Sequence, residues 1–204
     1  MRCDPLILAT SLALVAGCGF LGGGPASSVD VAADSKATFG LLPSAQLVDS
    51  TGAEVSPERL RGSTWALASM SRPLRMDTAG QLERLRDLHA IVASSDIHLV
   101  WLTTNPLVDT PEELTAFAAD AELPSESWFL WTGPEAEVAR LLQGAWRSSL
   151  VGAEQDELEL MMATSFESRV VVVDPAGLVR GSYDLFSEDG PELLVSRLRA
   201  VSRE

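Results

Sequence analysis

Residues 169–183 read "RVVVVDPAGLVRGSY", and how this stretch is read decides the fold. "RVVVVD" (169–174) and "LVRGSY" (178–183) are strand-forming runs. The Pro-Ala-Gly between them is turn chemistry, so the pair reads as a hairpin. Downstream, "GPE" at 190 opens a helix over 191–202. Upstream, strands are predicted at "AQLVD" (45–49), "TWALASM" (64–70), "IHLVWLTT" (97–104) and "SWFLW" (127–131). Between them, helices are predicted near 57–61, 79–93, 111–121 and 135–147. From residue 64 onward the order β-α-β-α-β-α-β-β-α is that of an α/β protein whose central mixed sheet is flanked by helices.

The helix starts share one grammar: "SPE" at 56, "TPE" at 110 and "GPE" at 133 and 190. Proline at the first helical position lacks only an N–H that has no helical partner, and glutamate next to it favours the positive end of the dipole. Thr110 with Glu113, and Thr78 with Gln81, fit capping boxes. Leu82, Leu85, Leu88 and Ile91 form one stripe, which predicts a helix face packed on the sheet. The five tryptophans, Trp65, Trp101, Trp128, Trp131 and Trp146, fall on strands and one helix end, as core residues do. Residues 148–168 are the one long connection without a clear period, and such loops are functional or mobile.

The chain has 204 residues, 46% of them hydrophobic and 22% charged, which is enough for one domain with a full core. Its net charge of −14 excludes the basic footprint of a nucleic-acid binder. The acidity serves solubility or presents an acidic face to a cationic partner.

The N-terminus predicts export. Arg2 precedes an apolar run, "PLILATSLALVAG" (5–17), that is shorter than the roughly 20 residues of a spanning helix. "VAGC" then resembles a bacterial lipoprotein signal, with residues 1–17 removed and Cys18 lipidated. The other reading is an uncleaved anchor helix reaching Leu21. Both place the domain on the extracytoplasmic, periplasm-facing side of a membrane. Residues 18–38 read as a lipid-anchored flexible tether rich in Gly, Ala and Ser, spanning about 25 Å. The folded domain is predicted over 39–204. The only cysteines are Cys3 and Cys18, so cleavage leaves no free thiol and no disulfide for redox chemistry.

Four strings carry a family resemblance: "LVDSTGAEVSPERLRG" (47–62), "TTNPLVDTPEEL" (103–114), "WFLWTG" (128–133) and "VVVDPAGLVRGSYD" (171–184). With the order of elements, they resemble the SCO/SenC family. Its members are membrane-tethered, thioredoxin-fold copper chaperones used in assembling cytochrome c oxidase. The resemblance implies a thioredoxin-like fold and a protein partner in respiratory-complex or copper-protein assembly. It also implies a C-x-x-x-C pair after the second long strand and one histidine before the valine-rich strand. Here the cysteine positions fall on Ser71 and Arg75, and the histidine position falls on Phe166. Ser69 stands where the family has threonine, and Asn105-Pro106 stands for its Asp-Pro. Thiolate and imidazole suit copper, whereas a serine hydroxyl and a guanidinium do not.

The resemblance therefore implies a degenerate site with no catalytic residue, no enzyme activity and no cofactor. The domain would bind a partner through 71–77 and the acidic segment 148–168. The alternative is a copper(I) carrier. Met70 and Met76 flank the former cysteine loop, Met161 and Met162 precede the former histidine position, and thioether sulfur binds Cu(I). Otherwise these methionines fill core gaps. Arg72 and Arg75 precede a helix N-terminus and would hold a carboxylate there, or else pair with Asp77 or Glu83. His89 and His98 stand at no metal-ligand spacing. Ser71 has no activating base nearby in sequence.

Overall fold

A computed structural model describes residues 38–70, 76–93, 95–124, 127–149 and 168–204. The predicted signal peptide, Cys18, nearly all of the tether and most of the 148–168 connection lie outside the described residues.

The chain forms β1 (Leu47–Asp49), β2 (Glu54–Val55), a 3-10 turn (Pro57–Leu60), β3 (Thr64–Met70), α1 (Met76–Val92), β4 (Ile97–Thr103) and α2 (Pro111–Asp120). It continues through β5 (Trp128–Thr132), α3 (Glu135–Ser149), β6 (Arg169–Val173), β7 (Val179–Asp184) and α4 (Gly190–Val201). Seven strands make one mixed sheet in the order β2-β1-β5-β4-β3-β6-β7. β3, β4 and β5 are parallel, while β6, β7, β1 and β2 join antiparallel.

The four valines of the opening stretch show why the sheet is covered twice. Successive side chains of a strand point to opposite faces. Val170 and Val172 enter a core with Leu82, Leu85, Leu88, Trp101, Leu194 and Leu198, beneath α1, α2 and α4. Val171 and Val173 enter a second core with Leu47, Trp65, Leu67, Leu141 and Trp146, beneath α3 and the N-terminal segment. Each fully buried valine or leucine contributes about 1.5–3 kcal/mol, so neither layer is dispensable. All five tryptophans are buried, as expected, two in the first core and three in the second.

The predicted hairpin forms. Gly177 adopts φ +84° and donates its N–H to Asp174 O at 2.9 Å, closing the turn. Asp174 Oδ1 accepts from the N–H groups of Ala176 and Leu178, each at 2.9 Å. Its other oxygen accepts from Arg180 Nη1 at 3.1 Å. Arg180 also grips Glu204 twice, at 2.7 and 2.9 Å, and so ties the hairpin to the end of α4. Those contacts, the Glu204 hydrogen bond first, raise the Arg180 pKa above its ordinary value.

Several boundaries differ from the sequence reading, each for a tertiary reason. The helix expected at 57–61 is a 3-10 turn of four residues. β2 was not predicted; two residues suffice because Leu47 and Val48 supply its pairing partners. α1 begins at Met76, not near 79, so Thr78 lies inside its first turn. Gln81 points into the core and donates Nε2–H to Ser69 O at 3.0 Å. Gly190 lies within α4; Ser187 Oγ accepts its N–H at 3.1 Å. The Thr110–Glu113 cap forms as read, at 3.4 Å. Ile91, expected on the buried stripe, is 45% exposed, and Val92 takes the buried place.

Replacing Arg180 with methionine leaves the buried Asp174 carboxylate without its cation. The expected loss is roughly 3–5 kcal/mol, read as a lower urea midpoint at unchanged m-value.

Candidate functional site

In an open α/β sheet, ligands gather at the carboxyl ends of the parallel strands. β3 and β4 pair in register from Thr64↔Ile97 to Met70↔Thr103, so both end at the same edge. Six of the ten buried polar or charged residues lie there: Ser69, Gln81, Thr103, Asp109, Arg169 and Thr132, the last at the end of the parallel β5. Burying such groups costs free energy unless they are hydrogen-bonded, so their partners define the site.

Ser69 and Gln81 form the first part. Gln81, one turn inside α1, reaches back to the last strand carbonyls and stitches helix to strand. Its Oε1 is buried and has no hydrogen-bond partner among the described residues.

Thr103 forms the second. Its hydroxyl donates to Asp109 Oδ2 and accepts from Asn105 N at 2.9 Å. Asn105 O in turn accepts from the N–H groups of Val108 and Asp109, at 3.1 and 3.0 Å. The loop from β4 to α2 is thereby a closed knot around one hydroxyl. Its tip presents Leu107, 78% exposed, and Val108, 47% exposed.

Arg169 opens β6, one step before the Ala68↔Val170 pair, and so lies beside Ser69. Its Nε donates to Ser182 Oγ at 3.1 Å and its Nη2 to Ser182 O at 3.4 Å. Burial pushes its pKa down, and the Asp184 charge partly opposes this.

Besides Met70 and Met76, the described side chains at this edge are hydroxyl, amide, carboxylate and guanidinium. These are hard oxygens and a cation, which do not fit Cu(I), a soft ion that selects sulfur. Among the described residues no group of three or more His, Cys, Asp and Glu could hold a metal ion.

Both histidines lie towards the opposite, amino ends of the strands: His98 is about 16 Å along β4 from Thr103, and His89 packs at the start of β5. His89 Nε2 meets Ser127 Oγ at 2.6 Å and its ring lies 5.7 Å from Trp128; burial lowers its pKa. His98 packs on Phe129 at 5.3 Å.

Met70 ends β3 and Met76 begins α1, so these two of the four methionines flank the edge. Ser71, Arg72, Arg75, Met161, Met162 and Phe166 lie outside the described residues. Asn105-Pro106 stands at the edge as expected. Gln81, Thr103, Asp109 and Arg169 were missed as site residues. A signal was present for two of them, because "TTNPLVDT" carries a threonine and an aspartate into the end of an otherwise apolar strand.

The architecture is shared with solved structures at low sequence identity. A SCO1/SenC family lipoprotein from Bacillus anthracis str. Ames superposes with a TM-score of 0.63 at 18% identity, covering 79% of this chain and 94% of that one. BsSco, described as a member of the Sco family of cytochrome c oxidase assembly proteins with a disulfide switch, gives 0.60 at 21% identity, over 80% and 94%. Bradyrhizobium japonicum ScoI, solved with copper bound, gives 0.58 at 13% identity, over 79% and 99%. At these identities the likeness establishes the fold: this chain has the thioredoxin-like α/β fold of the Sco proteins. No protein-family model and no curated protein sequence matches it.

Replacing Thr103 with valine removes the hydroxyl that holds Asn105 and Asp109. The expected cost is about 1–3 kcal/mol, with faster amide hydrogen exchange confined to 105–110.

Proposed function

We propose that this chain is a SCO/SenC-type protein that works as an exported, lipid-anchored binding module, without redox or copper chemistry of its own. It would serve the assembly of a respiratory complex or another copper protein. One observation carries this reading: a fold shared with copper-bound and disulfide-switching proteins occurs here in a chain with no cysteine beyond Cys18. A scaffold does not convey function once the reacting groups are replaced. What the site end offers is a surface. The knotted β4–α2 loop holds Leu107 and Val108 outward, and clustered exposed apolar side chains are a feature of interaction sites. The predicted loop at 71–77 and the acidic segment 148–168 would complete the contact.

The second reading, copper(I) carriage on Met70, Met76, Met161 and Met162, is favoured by the placement of Met70 and Met76 at the site edge. Titrating the mature protein with Cu(I) against a chromogenic chelator separates the two. No competition is expected. Stoichiometric binding that disappears in Met70→Leu with Met161→Leu would establish the second reading in place of the first.

The anchor has its own measurement: mass spectrometry of the mature N-terminus, with acylated Cys18 expected and an intact Met1 marking the uncleaved helix instead. In the native host, loss of the protein is expected to lower cytochrome c oxidase activity in membranes. Leu107→Asp with Val108→Asp should fail to restore it at normal protein level.

A further inference from the structure

The apolar stripe of α1 is longer than the sheet can cover. Leu82, Leu85 and Leu88 are buried, but Ile91 overhangs a groove between α1 and α4. The two helices run side by side. A Cβ on Gly80 would meet the Phe186 ring at 3.5 Å near one end, and Arg199 Nη2 donates to Ile91 O at 3.4 Å near the other.

One wall is the α1 stripe Arg84, Asp87, Leu88 and Ile91. The other is the α4 stripe from Pro191 to Ala200, about 14 Å of helix, continued by Arg203 just past its end. Ser196 and Ala200 keep that wall low, and Leu185 and Leu194 form the floor. The groove encloses about 700 Å³, within the roughly 300–1,000 Å³ of small-molecule sites.

Its charge is opposite to that of the chain. The protein has 29 acidic residues against 15 basic ones, yet this groove has three arginines and two carboxylates, Asp87 and Glu192. Among the described residues none of the three arginines has a carboxylate partner. Arg84 lies over the Phe186 ring at 5.0 Å, and Arg199 meets only the Ile91 carbonyl. Phe186 is itself 45% exposed beside the groove. An apolar trough with unpaired guanidinium groups along both walls matches a molecule with one alkyl chain and one acidic head.

We propose that the α1–α4 groove binds a free, single-chain anionic amphiphile. The chain lies along Ile91 and Val195, above the buried Leu88, Leu185 and Leu194, and the carboxylate or phosphate head takes its hydrogen bonds from Arg84, Arg199 or Arg203. Neither Leu107 nor Val108 lines the groove, and the proposal does not depend on the assembly reading.

The test places the full chain in phosphatidylcholine nanodiscs and photolabels it with a diazirine-bearing dodecanoic acid. Saturable labelling of peptides from 84–91 and 185–203 is expected. Unlabelled dodecanoate should compete about tenfold better than dodecanol or dodecyltrimethylammonium. Arg199→Glu with Arg203→Glu should lower the labelling about tenfold, and Ser196→Trp, which fills the groove without changing charge, should do the same at unchanged melting temperature. The proposal is overturned if dodecanol competes equally, if neither variant matters, or if the label falls elsewhere. It is also overturned if phosphatidylglycerol discs abolish labelling, because the groove would then read bilayer headgroups and not a free acid.

Discussion

The parallel pairing of β3 with β4 is the constraint on which the rest of the structure depends. Both strands lie inside the sheet, flanked by β6 on one side and β5 on the other, so both of their faces must be kept from water. Small residues face one layer and large ones the other on β3: Ala66 and Ala68 beneath α1 and α4, Trp65 and Leu67 towards α3. β4 balances this by placing Trp101 opposite the alanines, where it meets Phe117 edge-on at 5.4 Å. Volume lost on one strand is recovered on its neighbour, as close packing requires.

The same pairing creates the site edge. Parallel strands end together, so Met70 and Thr103 stand side by side and the chain must leave both strands at one place. The N–H and C=O groups freed there need partners, and buried side chains supply them: Gln81 on the Ser69 carbonyl, Thr103 on Asn105 N. This polar ring exists whether or not the edge carries chemistry. The stability of such a scaffold comes from its two packed layers, while hydroxyl and amide groups serve the freed backbone at its edge.

Much of the fold was legible because its signals are local. Turn chemistry in "DPAG", proline-glutamate helix starts and the apolar runs of the long strands each act within a few residues. The strand bounds at 64–70, the start of the valine strand at 169 and the Thr110 cap followed from them. The candidate site was less legible. Ser69 and Asn105 were placed through resemblance, but Gln81 read as part of a helix cap, because its true partner lies twelve residues back and across a helix–strand contact. Arg169 looked like the polar first residue of a strand; its burial depends on Ser182 across the hairpin.

By itself the sequence determined the order of the long strands and helices, the hairpin at 174–178, the acidic balance and the confinement of cysteine to the first eighteen residues. These are properties of composition and of short periods, set by backbone geometry within one element. Only the tertiary structure decided that β1 pairs with β5, that Glu204 closes on Arg180, and that Ile91 overhangs a groove in place of a sheet. Each joins residues far apart in the chain, and nothing in a local period says which distant surface will meet it.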